Sequence, residues 1–203
     1  MKKGEKRKQE LIRIAYRMFV SRGYEHTSVD DIIGEAGIAK GTCYYYFKSK
    51  EQMLEEVIGM MLQAEAEKAR AVLRSDLSVP EKIVGIIASI RVEREEKTID
   101  DALHEPENIL MHNKIRERII DLIVPILSEA AEDGVKEGLF VCDSIPERVR
   151  MIMLLSSDLF DDHHPFSPAV MDVFIDAVEK ILGAKPGTMG FIRALIGSPE
   201  DNR

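Results

Sequence analysis

Between Thr27 and Lys50 the chain reads T-S-V-D-D-I-I-G-E-A-G-I-A-K-G-T-C-Y-Y-Y-F-K-S-K. Lys40, Lys48 and Lys50 are cations suited to phosphate. Thr42, Tyr44, Tyr45 and Tyr46 offer hydroxyls that bond phosphate oxygens or base edges. Tyrosine rings also make apolar contact with thymine methyls. Neighbours on a helix are about 100° apart, so three tyrosines in a row cannot all face one core. At least one points outward, and an outward aromatic among lysines suggests a binding surface. A tyrosine cluster packed on the preceding helix is the weaker alternative. The chemistry on offer is recognition of a polyanion rather than the making or breaking of bonds.

Two short helices must position these groups. Ser28 is a candidate N-cap, with Asp31 three residues on in the reciprocal position of a capping box. Val29, Ile32, Ile33 and Ala36 form one apolar face. Gly37 supplies the left-handed residue of a tight stop. Lys40-Gly41-Thr42 opens the second helix, and Ser49 with Gln52 starts a third. Two helices of about two turns around a glycine turn form a helix-turn-helix, whose second helix enters a major groove.

The run G-T-C-Y-Y-Y-F-K-S-K-E-Q-M, with A-G-I-A-K before it, resembles the DNA-reading segment of the tetracycline-repressor (TetR) family of bacterial regulators. The family pattern is A-G-V-[SA]-K-G-[TS]-[LI]-Y-x-[YH]-F-x-[SN]-K-E-x-L. Cys43 and Met53 depart from it, and both keep an apolar side chain. The resemblance begins near Lys8, includes the R-G-Y-E-H-T-S link, and fades after Ile58, so it covers about a quarter of the chain. It implies DNA contacts from Thr27, Ser28, Lys40, Gly41, Thr42, Tyr44, Tyr45, Tyr46 and Lys50. Lys50 and the amides opening the next helix would hold phosphate. Thr42 and Tyr45 would touch bases, Tyr44 the backbone, and Phe47 the core.

Charge supports a divided molecule. The chain carries −8 overall, yet residues 1–50 hold 11 Lys+Arg against 6 Asp+Glu, a net of +5. Residues 51–203 hold the other 17 and 30, a net of −13. A basic head on an acidic body places the electrostatic footprint at the helix-turn-helix. Cys43 and Cys142 have no metal spacing and fit reduced thiols. The basic N-terminus leads into an amphipathic helix rather than an apolar run, and no stretch reaches 18 apolar residues. The expectation is a cytoplasmic protein with no cofactor.

Other chemistry is poorly served. H-E-P-E-N at 104–108 misses the zinc-peptidase pattern in its fifth residue, and Pro106 breaks the helix that must present the ligands. His104, Glu107 and His112 are a weak sensory metal set, and His163-His164 is no better. No nucleophile turn and no phosphate-cradling glycine loop occurs. The expectation is no enzyme, no catalytic residue and no metal site.

The rest of the chain reads as helices. The first carries Leu11, Ile14, Ala15, Met18 and Phe19 on one face and ends at Gly23, with Tyr24 and Val29 plugging the head. A long helix from Lys50 to about Arg74 follows, then one from Pro80 to Lys97. Short helices break near Pro106. A long helix over 113–137 has Ile115, Ile119, Leu122 and Ile123 on its stripe, and Pro125 predicts a kink or a split. Helices from Pro146 and over 168–182 complete the body, and Gly183 caps the latter.

The reading is an all-α chain. A three-helix DNA-binding head, residues 1–50, is joined by a long helix to a helical effector-binding and dimerisation domain, residues 51–203. The resemblance implies a homodimer on a palindromic operator, paired through the last two long helices, with Leu155, Leu159, Val173 and Phe174 at the interface. It also implies a small-molecule cavity, with Met60, Met61, Ala64, Met111 and Met153 as candidate lining residues. The function expected is a one-component regulator, as a repressor released from operator DNA by an effector. An architectural DNA-binding protein without effector is the alternative, and it leaves about 150 acidic residues without a role.

Overall fold

Helical periodicity is realised throughout the computed structural model, which describes residues 3–90, 99, 109–160 and 167–196. The described elements are α1 (Lys3–Arg22), α2 (Val29–Ala36), α3 (Lys40–Tyr46), α4 (Lys50–Leu73), α5 (Val79–Ala88), α6 (Ile109–Lys136), α7 (Ile145–Leu159), α8 (Pro168–Leu182) and α9 (Ile192–Ile196). No strand forms among the described residues. His104, Glu107, His163, His164 and the break near Pro106 lie outside them.

The chain divides into two compact units. One is built from Met1–Ala64 with Val92–Ile115, the other from Glu65–Arg91 with Arg116–Arg203. The first unit therefore extends beyond the 1–50 head read from sequence, because α4 continues past Lys50 as one helix.

In the first unit, α1 packs on α2 and α2 on α3. Leu11, Ile12, Ala15 and Phe19 of α1 are buried, and so are Ile32, Cys43, Phe47, Met53 and Leu54 of later elements. Each large side chain so buried contributes about 1.5–3 kcal/mol. Gly23 ends α1 at φ 86°, a conformation that disfavours any residue with a Cβ. Tyr24 then turns inward, its ring edge-on to Phe19 at 5.1 Å. Val29 is only half-buried, so Tyr24 is the plug.

The second unit closes on a core from α4 to α9, including Ala66, Ala69, Ile86, Ile123, Leu127, Ala130, Phe140 and Val178. A Ser78–Glu81 capping box starts α5, a signal the sequence reading passed over. That helix ends at Ala88. The buried line of α6 runs through Ile120 and Ile123, with Ile119 half-buried. Pro125 does not split α6, which continues to Lys136. Pro125 is exposed, so the carbonyl it leaves without an N–H partner faces the wet side of the helix. Near the end of α6, the Leu139 amide donates to Gly134 O at 2.8 Å, and the Phe140 ring folds back. A Cβ on Gly134 would stand 2.5 Å from that ring. The buried Glu179 carboxylate accepts from the Met189 amide at 2.9 Å, tying the chain beyond α8 to the core.

Candidate nucleic-acid interface

Capping chemistry builds the interface first. Asp31 N donates to Ser28 Oγ at 3.1 Å, and Ser28 N donates back to Asp31 Oδ2 at 2.9 Å. The Ser28 hydroxyl also donates to that carboxylate at 2.6 Å. These bonds hold the Asp31 carboxyl below the ordinary carboxylate range. Gly37 stands at φ 60° and ψ 38°, its amide returned to Gly34 O at 3.2 Å. The chain then re-enters helix at Lys40. At the start of α4, Gln52 N donates to Ser49 Oγ at 3.2 Å. The Gln52 side chain accepts from Lys48 N at 2.6 Å, one residue earlier than a standard box.

The tyrosine run of α3 sorts by helical phase. Cys43 and Phe47 are buried. Tyr45 is 76 % exposed and Tyr44 38 %. Lys40, Gly41 and Thr42 are exposed beside them. Tyr46 is half-buried, edge-on to Tyr45 at 5.0 Å, with its hydroxyl toward Gly4 of α1. Packing therefore claims Tyr46, and solvent claims Tyr45.

The cations are already engaged. Lys40 Nζ straddles the Asp30 carboxylate, 2.9 Å from Oδ1 and 3.1 Å from Oδ2, and lies 5.9 Å from the Tyr44 ring centroid. Hydrogen bonding to Asp30 holds the Lys40 ammonium above the ordinary lysine range. Lys48 Nζ donates to Tyr44 O at 3.2 Å, near the negative end of α3. Lys50 Nζ sits 4.0 Å above the Tyr24 ring and 3.9 Å from Glu25, with its side chain only 20 % exposed. Near the N-terminus, Arg7 pairs with Glu10 and Lys8 with Glu56.

Thr27 corrects the DNA-contact set. Its side chain is 1 % exposed, and its hydroxyl donates to Gly23 O at 2.8 Å. It locks the α1–α2 turn and presents nothing to a ligand. Asp30 and Glu25 were missed. Their pairing with Lys40 and Lys50 spans a turn or a helix boundary, which linear spacing does not reveal.

The second unit holds a cavity of about 110 Å³. Its walls are Ile83 and Ile87 of α5, Leu127 and Ala131 of α6, Val149, Ile152, Met153 and Ser156 of α7, Phe174, Val178 and Leu182 of α8, then Met189, Ile192 and Leu195. Ser156 is the polar residue among these described walls, and its hydroxyl donates to Met153 O at 3.0 Å. Of the five candidate cavity residues, Met153 lines this space. Met60, Met61, Ala64 and Met111 belong to the first unit and do not line it. Ala64 is exposed because it lies about 200° around the helix from buried Ala66.

The proposed dimer residues also divide. Val173 is 67 % exposed, Leu155 41 % and Leu159 36 %, beside exposed Met151 and Leu154. Phe174 is 4 % exposed, lines the cavity and stacks edge-on with Phe160 at 5.0 Å. One residue further round α8 turns it into the core of the second unit, so it is a core residue and presents no surface to an interface. Among the described residues no group of His, Cys, Asp and Glu could hold a metal ion. No described helix is long and apolar enough to cross a membrane.

Residues 11–57 match the family model of bacterial regulatory proteins, tetR family. The HTH-type transcriptional repressor KstR2 of Mycolicibacterium smegmatis is 41 % identical over 80 residues, 39 % of this chain and 39 % of that repressor. The chain thus spans well under half of that relative's length. The HTH-type transcriptional regulator YhgD of Bacillus subtilis is 27 % identical over 152 residues, 73 % of this chain and 78 % of YhgD. In fold, a TetR-family regulator from Mesorhizobium loti superposes with a TM-score of 0.57 at 17 % identity, covering 90 % of this chain and 98 % of that one. With the helix-turn-helix geometry above, the match identifies residues 11–57 as the DNA-binding segment of a tetR-family bacterial regulatory protein, and the solved structure shares the fold of the whole chain.

Proposed function

We propose that this chain is a one-component transcriptional repressor that binds a palindromic operator as a homodimer and leaves it when a small apolar or amphipathic effector enters the body. The observation that carries the DNA-binding part is Tyr45, 76 % exposed in mid-helix while its neighbours Cys43 and Phe47 are buried. The fold tolerates that ring in water, and a base step would cover it. Thr42 and Tyr45 are the base-reading residues. Lys40, Lys48, Tyr44 and the amides opening α4 hold phosphate. Lys50 does so only by leaving the Tyr24 ring.

Exposed apolar residues on α7 and α8, two helices that pack together, support a twofold interface there. Two recognition helices paired in this way read half-sites about 34–36 Å apart. The cavity supports an effector without formal charge in its buried part, because the described walls offer one hydroxyl that is already bonded. Regulator relatives and the DNA-binding surface support a regulatory rather than an enzymatic role, in the cytoplasm where operator DNA lies. The test is selection from random duplexes, followed by titration of the selected site and of scrambled DNA. A twofold-symmetric consensus bound at least about a thousandfold tighter than scrambled DNA supports the reading. Equal binding to both sinks it.

A further inference from the structure

Beside the first residue of α3 stands a carboxylate of α2, Asp30, where a polyanion must come. Asp30 and Lys40 are both more than half exposed, yet the ammonium straddles the carboxylate at 2.9 and 3.1 Å. Lys48 donates to a neutral carbonyl, and Lys50 stays 3.9 Å from Glu25. Of the three lysines of this segment, Lys40 is the one at hydrogen-bond distance from a carboxylate. An acid beside the recognition helix opposes sequence-independent attraction, so it needs a reason beyond stability. An exposed pair of this kind stabilises a fold by very little.

We infer that Asp30 is a specificity-determining positioning residue: it cancels the charge of Lys40 on non-cognate DNA and aims its remaining N–H at one phosphate when the operator fixes the register. The inference rests on the DNA-binding reading above. An ammonium has three donors, and the Asp30 carboxylate occupies no more than two. On random DNA the protein samples many registers. A paired lysine adds no net charge there and releases no counterion. On the operator, base contacts hold α3 in one place. A lysine already oriented by Asp30 and leaning toward the Tyr44 ring then meets a phosphate with less loss of rotamer freedom. Pairing therefore weakens random binding more than operator binding.

The test measures affinity for the selected operator and for a random duplex of equal length, at salt concentrations between about 50 and 200 mM. The proteins are the full-length wild type, Asp30→Asn and Asp30→Glu. Freed in Asp30→Asn, Lys40 adds one phosphate contact on random DNA. The salt slope steepens by about 0.9, and the affinity lost across that salt range grows about threefold. The ratio of operator to random affinity falls, because the operator already had its contact. Asp30→Glu keeps the charge and retains the wild-type slope. Melting temperatures of all three stay close, as a purely structural role for Asp30 would not allow. An unchanged slope in Asp30→Asn overturns the inference. So does an equal gain on both DNAs, which would mean simple repulsion. A wild type that binds neither DNA overturns the DNA-binding reading itself, and is distinguished by failing before any variant is compared.

Discussion

Replacing Leu155 with Glu tests the proposed twofold interface. Met151, Leu154, Leu155, Leu159 and Val173 remain between 36 % and 67 % exposed in the single chain. Together they hold roughly two side chains' worth of unburied apolar surface, or about 5 kcal/mol per protomer at about 2–3 kcal/mol for each buried side chain. A twofold interface counts this twice, giving about 10 kcal/mol against an association cost of about 4–15 kcal/mol. The balance is close enough for one residue to decide it. Leu155→Glu removes about 1 kcal/mol of apolar burial from each protomer. It also buries two carboxylates without partners, at a cost of several kcal/mol each. A total loss above about 4 kcal/mol raises the dimer dissociation constant at least about a thousandfold. The substitution is mild for the protomer itself, since position 155 faces water there. Sedimentation velocity at micromolar concentration should show dimer for the wild type and monomer for the variant, with helical circular dichroism unchanged. A variant that remains dimeric would refute this interface and move the pairing away from α7 and α8.

Tyr45→Ala should weaken operator binding by about 1–3 kcal/mol and leave random binding nearly unchanged, read by fluorescence anisotropy. Lys50→Ala should lower thermal stability as well as DNA affinity, because it also removes the cation over the Tyr24 ring, worth about 0.5–1 kcal/mol; unchanged melting would place Lys50 in solution rather than on the ring. Burial is the first cause that raises the Tyr24 phenol above its ordinary range, followed by the nearby Glu51 and Glu25 charges. The folded state thus keeps a proton that the unfolded state releases above about pH 10, so stability should fall as pH rises past that point, and Tyr24→Phe should flatten the fall in melts between about pH 9 and 11. Gly183→Ala should lower the melting temperature by several degrees, since position 183 stands at φ 62° and a Cβ there runs into the Val141 carbonyl.

Local signals made the head readable. Ser28, Asp31 and Gly37 specify where α2 starts and stops through bonds within a few residues. The 100° step requires at least one of the three tyrosines of α3 to face outward, and the family resemblance put Cys43 and Phe47 inside and Tyr45 on the bases; Cys43 and Phe47 are buried and Tyr45 is exposed. Thr27 could not be placed in this way, because burying its hydroxyl depends on where Gly23 O lies after the turn. Nor could Asp30, which pairs ten residues away across the glycine turn. Beyond the helix-turn-helix, helices were legible but their facing was not. Ala64 and Phe174 show why. Each sits on an apolar-rich helix where several rotations satisfy the pattern, and packing against other elements chooses among them. Methionine content suggested a cavity without locating it, and of the five candidates Met153 alone lines the one described.

Effector release is tested most directly by operator affinity with the cavity empty and with it filled. Small apolar and amphipathic compounds that raise the wild-type melting temperature, and lose that effect in a cavity-filling Ala131→Leu variant, supply a ligand shown to occupy the space. A tenfold difference in ligand affinity between the two states of each body corresponds to about 1.4 kcal/mol, so two bodies should weaken operator binding about a hundredfold. The same factor should appear when ligand affinity is measured with and without operator. Operator affinity unchanged at saturating ligand would contradict effector release through this cavity.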